Sequence, residues 1–121
     1  MIADFHAKAI QATQKGTLVA CYSRSQDKAD AFGQKFHCKG YSDMQNFLAH
    51  PELEIVTICT PSGFHLEPAC QAAEAGKHLI VEKPLEITLE RCDRLIEICD
   101  RNHVKLAGIF QTRFYDVVQV V

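Results

Sequence analysis

The sequence predicts an α/β protein built on a doubly wound parallel sheet. Three observations carry that expectation. Short apolar runs of strand length alternate with longer segments of helical period along the whole chain. The clearest run, Ile55–Cys59, lacks polar alternation except at Thr57, as strands covered on both faces do. Two of the runs, Ile55–Cys59 and Leu79–Val81, each end in a proline corner, Thr60-Pro61 and Glu82-Lys83-Pro84. As parallel strands they would bring both corners to one edge of one sheet, the edge where open α/β sheets bind ligands.

Taken in order, Ile2 to Gln14 carries Ile2, Phe5, Ala9, Ile10 and Ala12 near a helical period, and Gly16 is expected to end that helix. Thr17–Tyr22 reads as a strand. Ser25 is placed as the N-cap of a helix through Ala29, Ala31, Phe32 and Phe36. Lys39–Tyr41 is a small edge strand. Ser42 and Gln45 fit a capping box for a short helix carrying Phe47 and Leu48, which Pro51 closes. After the Ile55–Cys59 strand, Pro68 suits the first turn of a helix carrying Ala69, Cys70, Ala72, Ala73 and Ala75, with Gly76 as its C-cap. Leu79–Val81 follows as a strand. Thr88 then caps a long helix whose Leu89, Cys92, Leu95, Ile96 and Cys99 form the most regular apolar stripe, ending near Asn102. Val104–Phe110 is the last strand. Such alternation builds βαβ units, and right-handed crossovers put helices on both faces of a parallel sheet. The chain opens in a helix, where a doubly wound sheet would open with a strand.

With 121 residues the chain fits one domain, residues 1–121, and its 47% apolar and 23% charged content is that of an ordinary soluble globular protein. A net charge of −2 gives no reason to expect nucleic acid or an anionic membrane as partner. No apolar run approaches the ~20 residues that span a bilayer. The start, Met1–Ile10, lacks the charged leader and long apolar core of a secretory signal. The six cysteines form no CxxC and no Cys/His spacing of a zinc site, so no metal is expected. They read as small core hydrophobes in a reducing compartment, which places the protein in the cytoplasm.

The pattern Thr60-Pro61-x-x-x-His65, then Ala75-Gly76-Lys77-His78, then Glu82-Lys83-Pro84, resembles the glucose–fructose oxidoreductase/inositol dehydrogenase (Gfo/Idh/MocA) family over nearly the whole chain. The resemblance implies the N-terminal Rossmann domain of an NAD(P)-dependent oxidoreductase, whose substrate domain lies C-terminal and whose parent enzyme is a homo-oligomer acting on a polyol or sugar. In that family the first strand leads into G-x-G-x-I-G/A, followed closely by His. Met1-Ile2-Ala3 matches the tail of this fingerprint, with Ala3 in the third glycine's place and His6 as the histidine. The first strand, the first two glycines and the C-terminal domain have no counterpart here. The chain is therefore expected to be an incomplete Rossmann domain, truncated at both ends and inactive by itself.

Lys83 is the candidate catalytic and substrate-facing residue. Hydride transfer from a sugar carbinol leaves a proton to remove and an oxygen charge to stabilise, and a partly desolvated lysine does either. The alternative is a surface lysine before a turn proline. The resemblance puts Glu82 near the nicotinamide ribose, although its carboxylate would equally pair with Lys83 or cap the next turn. It puts His65 beside the same ribose; the plainer alternative is a helix-entry histidine. Thr60 and Pro61 form the wall of the cofactor cleft. Where NAD enzymes place an acid for the adenosine ribose, this chain has Ser23-Arg24. Arg24 suits a 2′-phosphate or a stack on adenine, so NAD and NADP both stay open. Arg113, after the last strand, would meet substrate or join two domains. His37, His50, His78 and His103 are surface or turn residues. Besides the dehydrogenase, two readings stand: a non-catalytic nucleotide-binding sensor, and a truncated product without activity.

Overall fold

In the computed structural model, which describes residues 1–115, helices and strands alternate in the order expected. The chain divides into two units, residues 1–54 and the residues from 55 onward.

The first unit contains α1 (Ile2–Ala12), β1 (Ala20–Tyr22), α2 (Gln26–Phe36), β2 (Lys39–Tyr41) and α3 (Met44–Leu48). β1 and β2 pair in parallel, Ala20 opposite Lys39 and Tyr22 opposite Tyr41, with α2 as the crossover. Helix and strand approach so closely that only glycine fits at two places. A Cβ on Gly33 would fall 2.5 Å from the Cys38 carbonyl oxygen, and one on Gly40 would fall 2.5 Å from that of Ala29.

Three local expectations are corrected in this unit. α1 ends at Ala12 with Thr13 as its cap, short of Gly16, because Thr13 turns extended while its N–H still bonds Ala9 and Ile10. β1 begins at Ala20, not Thr17; strand character starts where β2 supplies a partner, and the Lys39 N–H reaches the Val19 carbonyl at 3.0 Å. The cap of α3 is Asp43, whose carboxylate accepts the Asn46 N–H at 2.8 Å. Ser42, expected in that role, instead donates its hydroxyl to Gln26 Oε1 at 2.6 Å.

The second unit contains β3 (Ile55–Ile58), α4 (Leu66–Glu74), β4 (His78–Val81), α5 (Leu89–Arg101) and β5 (Leu106–Gly108), then a 3₁₀ turn at Gln111–Phe114. Its strands run parallel in the order β3-β4-β5. Val56, Ile58, Leu79 and Val81 are buried, and with them Ala69, Ala72 and Ala73 of α4 and Leu95 and Cys99 of α5. The alanines of α4 let it lie close against β3 and β4. β3 alternates more than expected: Ile55 is half exposed and Thr57 only partly covered, so one face of that strand carries the burial. The α5 stripe likewise narrows to Leu95 and Cys99, while Leu89 and Ile96 stay exposed. Only Leu106–Gly108 of the expected Val104–Phe110 strand is paired.

α4 and α5 both end in the Schellman arrangement. Gly76 takes φ +75° after α4, and the N–H groups of Gly76 and Lys77 bond the carbonyls of Ala73 and Ala72. After α5 the same left-handed position is filled by His103 at φ +55°, with His103 and Val104 bonding Asp100 and Cys99. His37 holds the equivalent place after α2, at φ +57°. All six cysteines are free thiols. Among the described residues no helix is long and apolar enough to cross a membrane, and no cluster of potential metal ligands occurs.

Candidate active site at the ends of β3 and β4

The register of β3 and β4 decides where the two proline corners go. Ile58 lies opposite Val81, so both strands end level, and the Glu82 N–H extends the ladder to the Ile58 carbonyl at 3.0 Å. Thr60–His65 and Glu82–Pro84 therefore leave the same sheet edge side by side. β5 ends beside them, its Ile109 N–H bonding the Val81 carbonyl at 2.9 Å.

Each corner has its own internal fastening. In the first, the Thr60 hydroxyl donates to the Phe64 carbonyl at 2.8 Å, and Gly63 takes φ +85°. In the second, the Glu82 carboxylate is buried and accepts the Lys83 N–H at 3.0 Å. The Lys83–Pro84 peptide is cis, and the Lys83 side chain is exposed. Pro61 is exposed beside Thr60.

His65 joins the two corners. Its ring is only 1% exposed, with Nε2 2.8 Å from the Thr60 carbonyl oxygen and Nδ1 3.3 Å from that of Leu85. A carbonyl oxygen only accepts, so at either contact the ring nitrogen is the donor wherever it carries a proton. The imidazole thus lies inside the turn, holding backbone to backbone.

Two residues not singled out in the sequence complete this junction. Glu86 is buried; its Oε2 accepts the backbone N–H groups of His65 at 3.2 Å and Leu66 at 3.0 Å. Its Oε1 accepts the N–H of Ile87 at 2.8 Å. Arg91, one turn into α5, donates to Glu86 at 3.1 Å, to Glu67 at 2.9 Å and to the Gly63 carbonyl at 3.2 Å. Burial pushes the Glu86 carboxyl upward, but the Arg91 guanidinium and the N–H groups of Ile87 and Leu66 outweigh it and hold the group below the ordinary value of 4.5. The sequence does contain one signal of this. α4 has His65 at its N-cap, where no serine, threonine or aspartate stands to accept the free N–H groups, so an acceptor has to come from another element. The nearby Cys59 thiol is pushed up to about 11, chiefly by burial and also by the Glu82 carboxylate, which leaves it protonated and unreactive.

Of the remaining candidates, Arg113 is exposed in the 3₁₀ turn after β5, its guanidinium 4.7 Å from the centre of the Phe114 ring. Ala3, Ser23 and Arg24 belong to the first unit. Ala3 is half-buried in the first turn of α1, next to Asp4, which pairs with Lys35 at 2.9 Å. Ser23 continues the β1–β2 ladder through a 3.0 Å bond from its N–H to the Tyr41 carbonyl, and Arg24 stands exposed at that strand end.

Parallel βαβ units whose loops gather at the carboxyl ends of the strands are the architecture of nucleotide-binding α/β domains of the Rossmann class. The family model for the oxidoreductase family with NAD-binding Rossmann fold (Gfo/Idh/MocA) matches residues 1–110. An uncharacterised oxidoreductase of Synechocystis sp. is 32% identical over 96% of this chain and 32% of its own length. The dTDP-3,4-didehydro-2,6-dideoxy-alpha-D-glucose 3-reductase of Saccharopolyspora spinosa is 35% identical over 74% of this chain and 27% of its own length. Among solved structures, the WlbA dehydrogenase of Bordetella pertussis, in complex with NADH and UDP-GlcNAcA, superposes with a TM-score of 0.91 at 28% identity, over 98% of this chain and 35% of that one. The chain belongs to the Gfo/Idh/MocA oxidoreductase family, and spans about a third or less of the length of these relatives.

Proposed function

We propose that this chain is the nucleotide-binding part of an NAD(P)-dependent oxidoreductase that transfers a hydride between nicotinamide and an alcohol or ketone of a sugar, nucleotide sugar or inositol. The observation that carries the reading is the exposed Lys83, set at the carboxyl end of β4 level with the Thr60–His65 corner. Relatives that reduce a dTDP sugar or bind NADH with UDP-GlcNAcA support that substrate class.

Residues of each unit suit one part of a dinucleotide. Arg24 is an exposed cation at the end of β1 with serine, not an acid, before it, which suits a 2′-phosphate or an adenine face. Ala3 would stand in the phosphate-binding turn, Thr60 and Pro61 would wall the cleft, and Glu82 would take ribose hydroxyls. His65 would act on the ribose only through the turn it holds, because its ring is enclosed. Bound nicotinamide would supply the hydride acceptor or donor. Lys83 would take or return the carbinol proton, or stabilise the oxygen charge, with Arg113 toward the substrate. The whole enzyme would be a cytoplasmic homo-oligomer.

Lys83→Ala in the complete enzyme is expected to lower kcat by about 10²-fold or more while cofactor affinity stays within about twofold of the parent. Stopped-flow hydride transfer and fluorescence titration with NADH and NADPH measure the two quantities. An unchanged kcat overturns the role of Lys83, and no binding of either nucleotide overturns the reading as a whole.

A further inference from the structure

His65, Glu86 and Arg91 each carry bonds that tie the α4 entrance to the segment after Lys83. The Glu86 carboxylate is enclosed, its side chain 0% exposed, and receives four N–H donors from three separate stretches of chain. Capping α4 alone does not call for this arrangement; a serine or aspartate at the N-cap position would serve without a buried ion pair. What the pair adds is a link between corners. Arg91 holds Gly63 and Glu67 on one side and Glu86 on the other. Glu86 stands three positions after Lys83, and Glu82 fixes the Lys83 N–H from the strand side. The turn that bears Lys83 is thereby gripped at both of its ends.

We propose that Glu86, clamped by Arg91, is a positioning residue for Lys83: the pair fixes the turn from which the lysine ammonium projects. The proposal rests on the catalytic reading of Lys83, but it concerns where that amine is held and is tested without nucleotide. A lysine stem is long and flexible, so a small rotation of its turn displaces the ammonium by an ångström or more, and misplacement on that scale costs about 10²-fold in rate.

The experiment follows Lys83 directly in the 121-residue chain. Acetylation of each lysine by dilute acetic anhydride is timed by mass spectrometry for the parent, Glu86→Gln, Arg91→Lys and Glu97→Gln. The last breaks the exposed Glu97–Arg101 pair and serves as the control. Gln cannot accept four donors and turns an NH2 toward one of them; Lys keeps the charge of Arg91 but lacks the planar guanidinium whose Nη2 reaches Gly63, Glu67 and Glu86 together. Both variants are expected to change the Lys83 rate by about threefold or more relative to Lys105 in the same sample, with Glu97→Gln unchanged. Should Glu86→Gln fail to fold, Arg91→Lys carries the test. An unchanged Lys83 rate in the folded variants, with urea stability reduced, overturns the proposal and leaves Glu86 as a helix cap alone. Failure of nucleotide binding instead strikes the oxidoreductase reading and leaves this measurement intact.

Discussion

Gly40→Ala tests how tightly the first unit is built around the strand end that carries Ser23 and Arg24. A Cβ at residue 40 would lie 2.5 Å from the Ala29 carbonyl oxygen, 2.6 Å from its carbon and 3.0 Å from the Asp30 nitrogen. Ordinary carbon–oxygen contact is about 3.4 Å, so β2 and α2 must separate by roughly 0.9 Å. All three atoms are backbone, and no side-chain rotation relieves the overlap. Gly40 has no positive φ, so alanine pays no conformational strain and gains about 0.5 kcal/mol from a less flexible unfolded chain. Overpacking costs about 1–3 kcal/mol and sits near the top of that range when backbone must move, which leaves a net loss of about 2 kcal/mol. Gly76→Ala is the contrast: nothing lies within 4 Å of its Cβ, but φ is +75°, so the cost is backbone strain of about 1 kcal/mol. Urea unfolding followed by circular dichroism ranks the two. A Gly40→Ala loss smaller than that of Gly76→Ala refutes the reasoning. α2 starts two residues after Arg24, past its N-cap Ser25, so retreat of the helix also moves that cation.

His103→Gly is expected to raise stability by about 0.5 kcal/mol, because glycine avoids the Cβ penalty of about 1 kcal/mol in the left-handed position after α5 but gains about 0.5 kcal/mol of freedom in the unfolded chain; a loss in urea unfolding would contradict this. Stability should also fall in acid through Glu86. Its folded value is depressed, so its contribution is complete above the ordinary carboxyl range and disappears as pH drops through the folded value. Melting temperatures between about pH 5 and pH 3 are expected to fall more steeply in the parent than in Glu86→Gln, and parallel curves would count against the buried pair.

The sequence order of helices and strands was legible because each element carries its period and a stop signal. Thr88 was identified as a cap and does accept the Arg91 N–H; Gly76 was identified as a terminator and takes the left-handed turn. Sequence and structure part where two polar residues compete for one role. Ser42 and Asp43 both suit an N-cap, and the choice fell to Asp43 because Gln26, from a different helix, engages Ser42. The strands at Thr17 and Val104 are shorter than their apolar runs, since apolar character continues beyond the point where a neighbouring strand offers bonds. Of the site, the motif residues and their shared edge were legible. Glu86 and Arg91 were not, because a glutamate after Leu85 and an arginine in a charged helix look like surface residues until His65, on another element, is brought against them. The same tertiary contact encloses His65, which stands at the entry of α4.

The bonds that set the shape of the β3–β4 edge mostly end on main chain. His65 reaches the carbonyls of Thr60 and Leu85, Arg91 that of Gly63, and Glu86 the N–H groups of His65, Leu66 and Ile87. Backbone groups are the same whatever residue bears them. Phe64 and Ile87, both largely exposed on these corners, are therefore free to be exchanged without unmaking the frame. Phe64 and Ile87 are thus the positions on this edge where a side chain changes with the frame kept, and His65, Glu86 and Arg91 are the ones that hold it.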